Sequence, residues 1–238
     1  MRQTAVSSYP RRMSLRKNLF AATYDRMSRK TEEAGLHEMR HGLLASADGN
    51  VLEIGGGTGA NLGHYDGKIE SLVVTEPEPA MLRRLQKKAR AQAPLAKILR
   101  APAEDLPFED DSFDTVVSTL VLCGVDDQSR SLRELRRVLR PGGRLLFLEH
   151  VRSDDPALAR FQDRMNWLNR LVVQCDCNRP TLAGIRAAGF TISRLEQTAF
   201  PKAPKFARPL ILGTAIADNA RHTDSRSSPR NQVQPPPD

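Results

Sequence analysis

Residues 51–61 read Val51-Leu52-Glu53-Ile54-Gly55-Gly56-Gly57-Thr58-Gly59-Ala60-Asn61, and the fold is decided there. Val51–Ile54 has the length and apolar weight of a buried strand. Four glycines in the next five positions end it, because they let the backbone turn tightly and leave its amides bare to a ligand. A glycine-rich turn between a buried strand and a following helix is the opening of an α/β nucleotide-type unit, and it predicts a ligand at the carboxyl end of that strand.

Outward from this turn, short apolar runs alternate with helical stretches. Leu72–Thr75, Ile98–Leu99, Thr115–Thr119 and Leu145–Glu149 read as strands. Pro79–Ala91 and Ser129–Leu139 carry helical periodicity, and Arg140-Pro141-Gly142-Gly143 stops the second. Upstream, Leu36, Met39, Leu43 and Leu44 space a helix over Thr31–Ala47. Downstream, 156–175 is a longer helix carrying the single tryptophan, Trp167. Two strand-like runs, Phe190–Leu195 and Pro209–Ile216, then follow with no full crossover helix between them. The expected fold is therefore α/β: a Rossmann-like three-layer sandwich on a mostly parallel seven-stranded sheet, with one antiparallel edge strand supplied by a terminal hairpin-like pair.

The glycines alone leave the ligand open. Gly55-x-Gly57-x-x-Ala60, with Glu76 nineteen residues after Gly57, nearly meets a dinucleotide fingerprint. A carboxylate at Glu76, ending the second strand, would accept ribose hydroxyls from any adenosine cofactor.

Three further motifs follow: Ala103-Glu104-Asp105-Leu106-Pro107-Phe108, then Asp111-Ser112-Phe113-Asp114 before an apolar strand, then Leu135-Arg136-Arg137-Val138-Leu139-Arg140-Pro141-Gly142-Gly143. In this order and spacing, over roughly residues 50–150, the chain resembles the class I S-adenosylmethionine-dependent methyltransferase superfamily. Ser118–Cys123, Leu148–Val151 and Cys177-Asn178-Arg179 look most like its methyltransferase-like seven group of small-molecule and thiol methyltransferases. The ubiquinone/menaquinone-biosynthesis and phospholipid N-methyltransferases are neighbours.

The resemblance implies an enzyme that moves a methyl group from S-adenosylmethionine to a small, apolar acceptor such as a thiol, quinol or lipid amine. It also implies a site map. Glu53, Gly55, Gly57 and Asn61 would line the methionine and sugar side, and Glu76 would bind the ribose. Pro77 and Met81 would pack near adenine, with Ala103 and Glu104 at its edge, while Ser118, Thr119 and Leu120 close the pocket. Two departures stand out. Pro102 occupies a position where the family often has Asp or Asn, and the apolar N-terminal anchor of some members has no counterpart here.

For the acceptor, His150 at the end of the fifth strand is the candidate base or orienter, with Glu149 behind or beside it. Asp176, in an expected lid, is a second candidate. Trp167, Phe161, Leu168 and Leu171 either wall an apolar pocket or pack on the core. No metal is expected, since Cys175-Asp176-Cys177 lacks zinc-site spacing.

Charge and composition bound the rest. The net charge is +8, but residues 1–30 hold eight basic side chains against Asp25 alone, so the remainder is close to neutral. That arm, with Leu15, Leu19 and Phe20, reads as a solvated leader or a weak peripheral contact with an anionic membrane. An aromatic content of 5% without basic–aromatic interleaving argues against nucleic acid, and no obligate protein partner is evident. Three cysteines suit a reducing compartment, so the expected location is cytoplasmic. The organisation is then an arm over 1–30, one domain over 31–217 and a disordered tail over 218–238. Two alternatives remain, an NAD(P)-dependent oxidoreductase and a non-catalytic protein that keeps the cofactor fold.

Overall fold

The computed structural model describes residues 26, 28–65, 68–173 and 175–218. The arm through residue 25 and the tail beyond 218 lie outside the described residues, and the membrane contact expected of the arm lies there with them.

Seven strands form one sheet in the order β3-β2-β1-β4-β5-β7-β6: β1 (Gly49–Ile54), β2 (Ile69–Thr75), β3 (Lys97–Leu99), β4 (Phe113–Thr119), β5 (Leu139–His150), β6 (Phe190–Ala199) and β7 (Pro209–Ala217). β1 to β5 pair in parallel. β7 alone runs against them, antiparallel to both β5 and β6. The expected terminal pair is present, but the reversed strand lies one place inside the edge. β6 arrives running with β5 and leaves a one-strand gap, which β7 fills as it returns.

The central strands read as unbroken apolar runs because both their faces are covered. Successive residues go to opposite sides. Leu52, Val116, Leu145 and Phe147 join one core with α3 (Gln128–Val138) and α5 (Thr181–Ala187). Val51, Val117, Leu146 and Leu148 join the other with α1 (His37–Leu44) and α2 (Pro79–Gln92).

Local details differ from the sequence reading at four places. The helix expected over 31–47 is interrupted by a π turn, Glu32–Leu36, in which Gly35 takes φ +128. The Arg140–Gly143 segment ends α3 as expected, yet β5 already begins at Leu139 and crosses the Pro-Gly-Gly with a register irregularity opposite Phe113 and Thr115. No helix follows the glycine turn. Positive φ at Gly55, Gly57 and Gly59 breaks an i→i−4 ladder, so 57–64 runs as successive turns. Finally, α4 (Pro156–Val173) turns Trp167, Leu171 and Phe161 outward, with Trp167 66% exposed. On its inner side Ala159 is buried, Met165 packs against Cys177 and Phe206, and the fully buried Gln162 bonds the Val151, Ser153 and Cys177 backbones.

Candidate active site

β1, β2, β4 and β5 end on one side of the sheet, at Ile54, Thr75, Thr119 and His150. The chain lays β2 and β3 to one side of β1 and β4 to the other, so the order reverses between β1 and β4. Ligands of open α/β sheets bind at such a switch point.

The glycine turn sits at its mouth. Gly56 N–H donates to the Thr75 carbonyl (2.9 Å) and Gly57 N–H to Glu76 Oε2 (2.9 Å). A side chain at position 55 would strike Val121, whereas at 57 it would meet nothing nearer than 4.0 Å. Gly57 is therefore demanded by its φ of +56 and faces open space.

Glu53 and Asn61 meet as expected. Asn61 Nδ2 donates to Glu53 Oε1 (3.1 Å) and to Thr119 Oγ1 (2.9 Å). Two partners were not foreseen. Tyr65 donates its hydroxyl to Glu53 Oε2 (2.7 Å). Arg40, 4% exposed, reaches from α1 to Asn61 Oδ1 (2.8 Å), Thr119 Oγ1 (3.0 Å) and Glu32 (3.2 Å). Burial raises the Glu53 pKa, opposed by the Tyr65 hydrogen bond, the Arg40 charge and Asn61. The Arg40 signal was present in the sequence: position 40 falls between Leu36 and Leu43/Leu44 on the apolar face of the helix, where a lone cation needs a partner. Tyr65 stands in a turn series with no periodicity to mark it.

Glu76 is 6% exposed. Its oxygens accept from Gly57 and Glu78 amides (both 2.9 Å) and keep lone pairs for more donors. Burial pushes its pKa up to about 7, with the two amide hydrogen bonds working the other way. Met81 in α2 and Ala103 are buried, and Pro77 is exposed. Glu104 accepts from the Asp126 amide (2.9 Å) and the Asp127 amide (3.3 Å). Leu120, with φ +60, bends the chain sharply after β4, a backbone strain of the kind that gathers at ligand sites.

The β4–β5 side is built differently. Glu149 is fully buried, but it does not orient His150. Its carboxylate accepts from Ser118 Oγ (2.6 Å) and from the Val121, Leu122 and Cys123 amides, pinning the 121–123 loop. Burial raises its pKa against these bonds. His150 Nδ1 instead faces Cys175 Sγ (3.4 Å) and Cys123 Sγ (3.6 Å), and its ring leans on Phe200 at 5.1 Å. The Cys175 hydrogen bond and burial push the Cys123 thiol up. Asp176 is a knot rather than a free loop acid. It accepts from Asn166 (2.7 Å) and pairs with Arg179 (2.7 Å). The structure also splits Cys175 from Cys177, which lies by Asn166 at 4.0 Å.

Sheet order, crevice and paired carboxylates fit a fold that holds an adenosine cofactor at the switch point. The family model described as "Methyltransferase domain" matches residues 52–147. Human thiol S-methyltransferases TMT1A and TMT1B are 33% and 34% identical over 70% and 73% of both chains. The ubiquinone/menaquinone biosynthesis C-methyltransferase UbiE of Hahella chejuensis is 35% identical over 60% of this chain and 61% of its own. Among solved structures, an S-adenosylmethionine-dependent methyltransferase of Thermotoga maritima superimposes with TM-score 0.64 at 24% identity, covering 84% of this chain and 98% of its own. The [4+2]-cyclase SpnF superimposes with TM-score 0.60 at 19% identity, covering 82% and 81%, so fold alone does not carry the activity. The chain belongs to the S-adenosylmethionine-dependent methyltransferase family and is an enzyme of that kind; the NAD(P) and non-catalytic alternatives lose their support. Among the described residues no helix is long and apolar enough to cross a membrane.

Proposed function

We propose that this enzyme methylates a small thiol, with its cofactor lying across the β1–β4 crevice. The carrying observation is the arrangement of two buried carboxylates around the glycine turn, Glu53 with Asn61 on one side and Glu76 on the other. S-adenosylmethionine supplies a methyl group on a sulfonium, already a good leaving group, so the protein's own share is alignment and exclusion of water. Glu53 suits the ammonium of the methionine end, and Arg40, close enough to share Asn61 and Thr119, suits its carboxylate. Glu76 has the free lone pairs to accept the ribose hydroxyls. Gly55 and Gly57 keep the sugar side bare, Met81 and Pro77 flank the adenine region, and Ala103 with Glu104 borders it. Ser118, Thr119 and Leu120 close the inner end. No proton-transfer step is assigned to His150 or Asp176.

The thiol preference is supported by the two human relatives, whose likeness spans more of both chains than that of the quinone-pathway relative. Purified protein with methyl-labelled S-adenosylmethionine, offered separate panels of thiols, quinols, lipid amines and carboxylates, tests it. Label is expected in the thiol panel. Label confined to quinols or amines would overturn the thiol assignment and leave the cofactor site standing.

A further inference from the structure

Three chain segments converge at the β4–β5 end of the sheet: the loop after β4 brings Cys123, the last residue of β5 is His150, and the segment after α4 brings Cys175. Cys123 Sγ, His150 Nδ1 and Cys175 Sγ all lie within 4.8 Å of one another, and all three residues are buried. We propose that these three atoms form a binding site for a zinc(II) ion, independent of which acceptor the enzyme methylates.

Geometry is the first support. Zinc bonds of about 2.3 Å to sulfur and about 2.0–2.1 Å to imidazole nitrogen, at tetrahedral angles, place the two ligand atoms about 3.6 Å apart. The two sulfur–nitrogen separations here are 3.4 and 3.6 Å.

The second support is the donor set. Two thiols converge on one imidazole nitrogen, and the two thiols also hydrogen-bond to each other. A cation between the three atoms serves them all, and two thiolates with one imidazole are a borderline-soft donor set suited to zinc.

The third is that the ligand-bearing backbones are already held by other bonds. Glu149 fixes the Cys123 amide, and the Cys123 carbonyl accepts from Asp176 N–H at 2.8 Å. Thr181 Oγ1 donates to the His150 carbonyl (3.1 Å) and Asn169 Nδ2 to the Cys175 carbonyl (2.7 Å). These bonds hold the three backbones, while Nε2 of the His150 ring is buried with no hydrogen-bond partner. Three protein ligands leave the fourth tetrahedral position for water or a further donor, the pattern of catalytic rather than purely structural zinc. The sequence hid this set because its members stand 25 and 27 residues from the shared histidine, whereas the near pair Cys175/Cys177 splits.

The test uses the full-length chain, reduced and freed of metal, titrated with Zn2+ against a chromophoric chelator and separately with Co2+. One equivalent of Zn2+ is expected to bind with Kd below about 1 μM, and the Co2+ form to show thiolate charge-transfer bands and the intense visible bands of a tetrahedral site. Cys123→Ser and Cys175→Ser should each cut the charge-transfer absorbance at least about twofold and weaken Zn2+ by more than the 10- to 100-fold typical of losing an outer partner, while Cys177→Ser leaves both unchanged. Circular dichroism and S-adenosylmethionine binding of each variant show that it is folded. Failure of wild type to bind, binding that survives both ligand substitutions in folded protein, or a Cys123–Cys175 disulfide in protein isolated under reducing conditions would each overturn the proposal.

Discussion

The two halves of the sheet's carboxyl edge are built on opposite principles. Around β1 and β2 the groups are oxygen and nitrogen, acids and amides knitted by Arg40, Tyr65 and Asn61. Around β4 and β5, beside the bond between Ser118 and Glu149, two thiols and an imidazole face one another, backed by Phe200. The first half suits a charged, hydroxyl-rich cofactor, and the second a soft, apolar chemistry.

The sharpest way to break this division is to disable one half and read the other. Glu76→Ala should lower S-adenosylmethionine affinity at least about a hundredfold, since each hydrogen bond to a charged group contributes about 1.5–3 kcal/mol, whereas Cys175→Ser should move it by less than about threefold. Isothermal calorimetry on both variants decides. Equal losses would mean that the edge is one site and not two.

Proton linkage offers a second cut. The Glu76 pKa is raised from 4.5 to about 7 in the fold, so the folded chain holds this proton longer than the unfolded one. Its contribution to stability is complete below about pH 4.5, falls as pH rises toward 7 and is flat above, by up to about 3 kcal/mol. Urea midpoints from pH 5 to 8 should lose that component of their slope in Glu76→Gln. Cofactor affinity should run the other way and rise about tenfold from pH 6 to 8, because the carboxylate is the better acceptor for ribose hydroxyls.

Arg40→Ala should cost about 2–3 kcal/mol in denaturant unfolding, because it strips buried Asn61 and Thr119 of a charged donor. Measured cofactor affinity should fall with it. On the far side, Trp167→Ser on the outer face of α4 should change stability by less than about 0.5 kcal/mol and leave cofactor binding intact. A large effect would show that this exposed face is covered by something else.

The two halves also differ in how far the sequence exposed them. Glu53, the glycine turn, Asn61 and Glu76 lie within 24 residues, and their meeting follows from local backbone needs. A strand end, a positive φ and a carboxylate one strand over are all written in short spacing. Arg40 was legible in retrospect as a cation on an apolar helix face. His150 is marked by its place at the end of β5, but Glu149, expected behind or beside it, turns to Ser118 and three amides, and the thiols take the ring. Asp176, a second candidate in an expected lid, is tied to Arg179 and Asn166.

By itself, the chain's pattern of apolar runs, glycines and acids determined the parallel core and the glycine turn at a strand's carboxyl end, because each depends on neighbours a few residues apart, and the motifs over residues 50–150 carried the cofactor class. Only the tertiary structure decided which strand reverses, which side chains Glu149 serves and which two cysteines meet His150. Those outcomes hang on contacts between segments 25 or more residues apart, where many pairings satisfy the local rules and packing selects one.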